Sequence, residues 1–291
     1  MKVWVLNLDA EIELSRSGPY QAPERVLRAL APWAKRARSL LAAEDQLLDD
    51  WLASEPRLAP AVGVCWSPTP SALRRLSKAG VPLPLAPGLE VLRRVCHRRF
   101  YLGLGGGAPG AAYFEDPALL EQALAARGGA AWLFKRPYGF AGRAQRRIGE
   151  QLSADDRRWL ADGLRLGGLL GEPWLPIERE LCLHGVLAAN GGLRLGRPCE
   201  QRTDSFRAWC SSAPLTVDEL TTAELAAEWR RALVSAAERS AEALQRAGYF
   251  GPFGIDAYLW RTPRGGLELN PLGELNARYT MGFSVGMAGS A

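Results

Sequence analysis

The stretch that most limits what this chain can fold into is Gly248 to Gly282, GYFGPFGIDAYLWRTPRGGLELNPLGELNARYTMG. Two strand-like runs flank a Pro/Gly turn, with Asp256 on the first. Glu274, Asn276 and Arg278 fall at alternate positions near the end of the second, and strand side chains alternate in direction, so the three share a face. Two acids, an amide and a guanidinium on adjacent strands make poor core. Oxygen donors of this kind suit a hard cation such as Mg²⁺, and the guanidinium suits a phosphate or carboxylate. A solvated polar strand face has the same pattern, so the upstream sequence has to decide. The acid-x-amide pattern also occurs earlier, at Glu268 and Asn270. That pair is nearer to Asp256 in the chain, whereas Arg278 follows Glu274 and Asn276.

A chain of 291 residues has room for two domains or one multilobed one. Hydrophobic residues make up 47% and charged residues 23%, the balance of a soluble globular protein. No apolar run is long enough to span a membrane. The N-terminal MKVWVLNLDAEIEL has acids among its apolar residues and no small-residue cleavage site. It reads as a first strand rather than a signal peptide, which makes the cytoplasm the expected location. The net charge of +5 comes almost entirely from dispersed Arg. With no nucleic-acid-binding motif, a nucleotide or other small anion is the more economical partner. The five cysteines contain no C-x-x-C and there are two histidines, so no zinc site is readable and the thiols are expected to be reduced.

In chain order, KVWVLNL (2–8) reads as a strand. Helical spacing runs from Pro23 to Leu41, with Pro32 placed to kink or divide it. AVGVCWS (61–67) is a second strand, and a short helix then ends at Gly80. A further helix covers 88–100. Strand, helix, strand, helix at this spacing indicates a small parallel α/β lobe. It carries NLDAE rather than G-x-G-x-x-G after its first strand, so it is not a dinucleotide-binding domain. Asp9, Glu11 and Glu13 follow that strand, where ligands often bind in α/β sheets, but solvated loop acids are the simpler reading.

The next segment is Gly-rich (102–114), followed by a helix capped by Asp116-Pro117 and ended by Gly128-Gly129. AAWLFKRPYGFAGRAQRRI then reads as a strand, a loop holding Gly139 and Gly142, and a return strand. Lys135 ends the first strand in a chain that uses Lys at only four positions. A compact ammonium suits phosphate oxygens, and glycines let backbone N–H groups approach them. A capping-box-like Ser153-x-x-Asp156 opens the next helix. Two apolar strands follow, broken at Pro176. Glu172, Trp174 and Leu175 offer an acid, bare backbone and large apolar groups of the kind that can hold a purine, and Glu180 could accept from ribose hydroxyls. Asn190-Gly191-Gly192 signals a hairpin, and a long helix covers about 221–247.

Taken together, WSPTP, the helix ending in RRF, WLFKRPYGFAGRA, EPWL with Glu180 after it, and FGIDAYLW with ELNAR resemble the ATP-grasp superfamily of carboxylate–amine ligases over residues 61–282. The resemblance implies an α/β fold, α+β in its C-terminal part. It has a parallel N-terminal lobe (1–87) and two α+β subdomains (88–170 and 171–291) that grip ATP. It implies Lys135 at the nucleotide phosphates, with Gly139 and Gly142 in the loop above. Glu172, Trp174 and Leu175 fall at the adenine and Glu180 at the ribose. Asp256, Glu274 and Asn276 hold Mg²⁺, for which Mn²⁺ can substitute. Arg278 sits beside the transferred phosphate, with Arg202 as a second candidate from the neighbouring sheet. This chain departs from the family by having Arg98 or Arg99 near the place of a common Lys, and Ala144 where a Gly is frequent. The implied activity joins a carboxylate, probed first among amino acids and small peptides, to an amine through an acyl phosphate. Small-molecule kinase and non-catalytic nucleotide binder are the alternatives, and homodimerisation is common in such enzymes.

Overall fold

The computed structural model describes residues 1–54, 60–139, 142, 144–204, 209–216 and 223–289. The N-terminal lobe is built on β1 (Lys2–Val5), with α1 (Ala10–Leu14) and α2 (Glu24–Ala37) after it. Next come β2 (Gln46–Leu47), α3 (Leu48–Ala53), β3 (Val62–Cys65) and α4 (Pro70–Lys78). β1 lies between β2 and β3 and is parallel to both. Val3, Val5, Leu48, Trp51, Ala72 and Leu76 close its core. Gly63 is required by that packing, because a Cβ there would meet Leu76 Cδ1 at 2.7 Å and the Pro82 carbonyl at 2.8 Å.

Two sequence expectations shift in this lobe. The first strand stops at Val5, because the Asn7 amide donates to the Ser67 carbonyl (2.8 Å) and to Thr69 Oγ1 (3.0 Å) and turns the chain. Pro32 lies inside α2 without dividing it. The proline is on the exposed face, while Leu30 and Ala37 hold the other face in the core.

The second layer starts with α5 (Leu89–Cys96) and α6 (Arg98–Leu102). The single helix expected over 88–100 breaks at His97, whose Nδ1 accepts from the Arg99 N–H at 3.1 Å. The break turns Arg98 inward, to 5% exposure. β4 (Ala112–Phe114), α7 (Pro117–Ala126), β5 (Trp132–Lys135), β6 (Gln145–Ile148), α8 (Ala154–Arg165) and β7 (Leu169–Pro173) follow. Their sheet has the order β4-β7-β5-β6 and is antiparallel throughout. Asp116 caps α7, and Ser153 with Asp156 forms the capping box of α8.

The third layer holds β8 (Ile177–Leu187), β9 (Leu193–Leu195), β10 (Cys199–Thr203), β11 (Trp209–Pro214), α9 (Ala223–Arg246), β12 (Gly251–Arg261), β13 (Leu267–Asn276) and α10 (Phe283–Met287). The sheet runs β11-β10-β8-β12-β13, with β9 hairpinned onto β8. α9 lays Trp229, Leu233, Ala237, Ala241 and Leu244 on a core that includes Leu181, Leu183, Phe253 and Ile255. Its expected first residues, 221 and 222, lie outside the described residues. Pro176 separates β7 from β8, and the two strands enter different sheets. A line drawn at 170/171 therefore falls within β7, which pairs wholly with the second sheet.

Candidate active site

A cleft of about 200 Å³ opens between the second and third sheets. Its floor comes from the C-terminal hairpin. β12 and β13 pair Asp256 directly with Glu274, and the register shifts between Asp256 and Tyr258, which faces Asn270. The residues left over are Pro271, Leu272 and Gly273. Pro271 has no N–H to give the ladder, and the Leu272 N–H is taken by Asn270 Oδ1 at 3.0 Å. This irregularity decides which acid-x-amide pair meets Asp256. Asn276 Nδ2 donates to Asp256 Oδ2 at 2.9 Å, and Gln201 Nε2 donates to Asp256 Oδ1 at 2.8 Å. Glu268 is exposed and faces Trp260. Asn270 donates to the Gly107 carbonyl and to the Tyr258 hydroxyl, and lines a separate surface groove. Nearness in sequence does not set which pair faces Asp256.

The two facing carboxylates differ in proton affinity. Burial, then the Glu274 charge, pushes Asp256 up to about 7. Burial would raise Glu274 too, but Arg98, Lys135 and Arg278 outweigh it and hold Glu274 below the usual carboxylate range. Arg98 Nη2 reaches Glu274 at 3.2 Å and Lys135 Nζ at 3.7 Å. Arg98 also donates to the Arg136 carbonyl at 2.8 Å.

Lys135, the last residue of β5, makes its closest contact with Glu172, at 2.7 Å from Oε2. The other Glu172 oxygen accepts from the Ala108 N–H at 3.2 Å. The Glu172 carboxylate is thus held by Lys135 and the Ala108 N–H while it lines the cleft. Trp174 and Leu175 do line the cleft beside Ile177 and Ala257. The Arg147 guanidinium covers the Trp174 ring at 4.6 Å from its centroid. Glu180 also lines the cleft and accepts from Thr203 Oγ1 at 3.1 Å.

Gly139 and Gly142 border the opening, and Gly142 has φ +72°. Ala144 adopts φ +59° and is the one non-glycine in the left-handed region among the described residues. Phe140, Ala141 and Arg143 of this loop lie outside the described residues.

Arg202 is not brought to the cleft. Strand alternation on β10 sends Gln201 and Thr203 inward, while Arg202 is exposed between them. The QRT segment held the right strand, and its neutral members are the ones that enter the site. The helix break at His97 hid Arg98 in the same way, since its inward turn follows from the cap rather than from periodicity. Trp33 and Trp209, which also line the cleft, gave no signal distinct from core aromatics.

Asp9, Glu11 and Glu13 are a second correction. None is solvated, at 8%, 5% and 6% exposure. Glu13 accepts from the Ser71 N–H at 2.9 Å and from its hydroxyl. Glu11 Oε1 accepts from Arg278 Nε, joining the first lobe to the end of the hairpin. Arg278 also donates to the Tyr279 carbonyl at 2.9 Å, and its guanidinium lies 5.2 Å from the Trp66 ring centroid.

The residues present fit a hard divalent cation. Asp256, Glu274 and Asn276 bring two carboxylates and an amide oxygen to one side of the cleft, and a cation would offset both the burial and the facing Glu274 charge that raise Asp256. Among the described residues no group of three or more His, Cys, Asp or Glu side chains that could hold a metal ion converges, the cleft having two carboxylates and an amide, and no helix is long and apolar enough to cross a membrane.

Three nested layers with a cleft between two antiparallel sheets define the ATP-grasp fold, and solved structures share it. The N5-carboxyaminoimidazole ribonucleotide synthetase from Thermus thermophilus superposes with a TM-score of 0.50 at 20% identity, covering 96% of this chain and 72% of that one. The Staphylococcus aureus N5-carboxyaminoimidazole synthetase complexed with ADP gives 0.50 at 12% identity, covering 96% and 70%. D-alanyl-alanine synthetase A from Vibrio cholerae gives 0.49 at 16% identity, covering 95% and 87%. The chain spans 54 to 72% of the length of the N5-carboxyaminoimidazole ribonucleotide synthetases it matches. No family model matches the sequence, and no curated protein matches it.

Proposed function

We propose that this protein is an ATP-dependent carboxylate–amine ligase that works through an acyl phosphate, with amino acids or small peptides as substrates. One observation carries the reading. Lys135 and Glu172 from one sheet meet Glu180, Asp256, Glu274 and Asn276 from the other, with Arg278 beside them, in a single cleft. Leu175, Ile177 and Ala257 supply the apolar wall for a purine, and Glu180 lies where a ribose would follow. Lys135 and Arg278 place positive charge where a phosphoryl group passes, which is the larger part of catalysis in such transfers. Asp256, Glu274 and Asn276 would hold Mg²⁺, which supplies charge neutralisation at the phosphate oxygens.

The carboxylate oxygen of one substrate attacks the γ-phosphorus and ADP leaves. The amine nitrogen then attacks the carbonyl carbon, phosphate leaves, and the nitrogen loses a proton. Gly139 and Gly142 permit a cover over the cleft that keeps water from the acyl phosphate. An N-terminal unit 1–87, two further units divided after β7 rather than at 170/171, and a cytoplasmic location belong to this proposal.

The test supplies Mg-ATP with a pool of amino acids and peptides and follows the products by mass spectrometry. ADP, free phosphate and a condensed product support ligation. ADP with a stable phosphorylated product makes the protein a kinase, and nucleotide binding without ADP release makes it a non-catalytic binder.

A further inference from the structure

The cleft has two apolar stretches, and the proposed chemistry uses one of them. Leu175, Ile177 and Ala257 form the purine wall, but Trp33, Trp209 and Met281 line the cleft as well. The register of β12 sets the two stretches apart. Ile177 faces Trp260, whereas Asn276 faces Gly254, six residues or about 20 Å back along the strand. Arg278 and Met281 continue the chain beyond Asn276. Trp33, Trp209 and Met281 belong to one packed cluster with Trp66, and the Arg278 guanidinium lies 5.2 Å from the Trp66 ring centroid. The second stretch therefore adjoins Arg278, with Asp256 and Glu274 between it and the purine wall.

Three elements distant in sequence build this stretch: α2, β11 and the segment after β13. Arg36 of α2 fastens the first two. Its Nη1 donates to the Trp209 carbonyl at 3.2 Å, and its guanidinium covers the Trp33 ring at 4.9 Å from the centroid. Trp209 Nε1 donates to Ser212 Oγ at 2.8 Å, so the one donor of that indole is committed and its ring offers apolar surface. Trp66 of the same cluster is fully buried, as a core aromatic should be, whereas Trp33 and Trp209 are half-buried at the cleft. Their remaining ring surface is what a ligand can cover.

We infer that the carboxylic acid substrate carries an aromatic or bulky apolar side chain, which packs on Trp33, Trp209 and Met281 while its carboxylate lies at Arg278. The inference rests on the ligase reading for the place of the carboxylate and adds the identity of the side chain. Aromatic and aliphatic groups gain from burial against indole faces. A cationic side chain would also be drawn to an indole, but here Arg36 already covers Trp33 and Arg278 stands beside the cluster, so a third cation is repelled.

Calorimetry tests it on the full chain loaded with Mg²⁺ and a non-hydrolysable ATP analogue, comparing phenylalanine with alanine and Gly-Phe with Gly-Ala. In at least one pair the aromatic ligand should bind about tenfold tighter or more, the discrimination an apolar pocket gives. Trp33→Ala should reduce that ratio to about twofold or less, and Trp33→Phe should restore most of it. Damage to the fold alone would weaken both members of a pair alike and leave the ratio in place. Absence of binding by both aromatic ligands, a ratio near one in both pairs, or a ratio that Trp33→Ala does not change overturns the inference. The ligase reading is tested apart, with hydroxylamine and Mg-ATP in place of the amine and the analogue. The hydroxylamine nitrogen attacks the acyl-phosphate carbon, phosphate leaves and the nitrogen loses a proton, so ADP and the hydroxamate of the bound acid are expected. Aromatic preference in binding with no hydroxamate formed supports the apolar subsite and counts against ligation.

Discussion

Arg278 Nε donates to Glu11 Oε1 across 267 residues of chain, with both side chains buried. The contact ties the first lobe to the end of the hairpin that carries Asp256 and Glu274, so the cleft's cation is positioned from outside its own sheet. A buried pair of this kind adds little net stability, but removing one partner leaves an uncompensated charge. Glu11→Gln is expected to destabilise the fold by about 3–5 kcal/mol. Glu11→Leu combined with Arg278→Met should recover most of that loss. Urea denaturation of the two variants checks both, and equal losses in the single and double variants would remove the pair from the account.

Lys135 sits 2.7 Å from Glu172 and 3.7 Å from Glu274, so without nucleotide its charge is already held between two acids. Binding a triphosphate asks it to exchange those partners for phosphate oxygens. Lys135→Ala should lower turnover by about 10²-fold or more, the scale of one preorganised charge stabiliser. Glu172→Gln removes the competing charge but keeps the shape. It should tighten nucleotide binding while leaving the Ala108 N–H without its carboxylate acceptor. Nucleotide titration of the two variants should therefore show shifts of opposite sign.

The layer order, the capping of α7 and α8, and the strand-Lys-Gly loop were legible because each is written in local residues. Asp116 before Pro117 and Ser153 three residues before Asp156 act within one turn of the chain. The candidate site was legible where alternation within one strand placed it, as for Glu274 and Asn276. It failed where neighbours from elsewhere decided direction. Arg202 and Gln201 are adjacent in sequence, and only the register with β8, which pairs Gln201 with Glu180, shows which one faces the cleft. Glu11 reads as a solvated acid until Arg278 is brought against it. Asn7 ends β1 through bonds to Ser67 and Thr69, about sixty residues away, which no local pattern encodes.

The Asp256 carboxyl gives the cleft a pH signature. Burial and the facing Glu274 raise it to about 7 from an ordinary 3.8. With a folded value above the unfolded one, the folded protein keeps a proton that the unfolded chain releases. Its contribution is therefore most favourable below pH 3.8, declines as pH rises towards 7, and is flat above. Thermal unfolding in EDTA should lose stability from this group across that window. Asp256→Asn should remove that component, and saturating Mg²⁺ should offset it at neutral pH by favouring the ionised carboxylate. A melting temperature whose pH dependence is the same in wild type and Asp256→Asn would show that the carboxylate is not raised.

The two acid-x-amide pairs can be told apart directly, because the structure gives them different work. Glu274 and Asn276 face Asp256, whereas exposed Glu268 leaves the cleft and Asn270 braces the Gly107 carbonyl, the Tyr258 hydroxyl and the Leu272 N–H. Changing Glu274 to Gln should weaken Mn²⁺ binding, read by electron paramagnetic resonance in the presence of nucleotide. The conservative amide keeps the shape, so the loss reports the charge. Glu268→Gln should leave Mn²⁺ affinity and stability unchanged. Asn270→Ala should leave Mn²⁺ affinity intact but cost about 1–3 kcal/mol of stability, since it removes hydrogen bonds that hold the register shift. The cost falls on the fold because that shift is what sets Glu274 against Asp256. If Glu268→Gln weakens Mn²⁺ binding and Glu274→Gln does not, the metal belongs to the other pair and the cleft assignment fails.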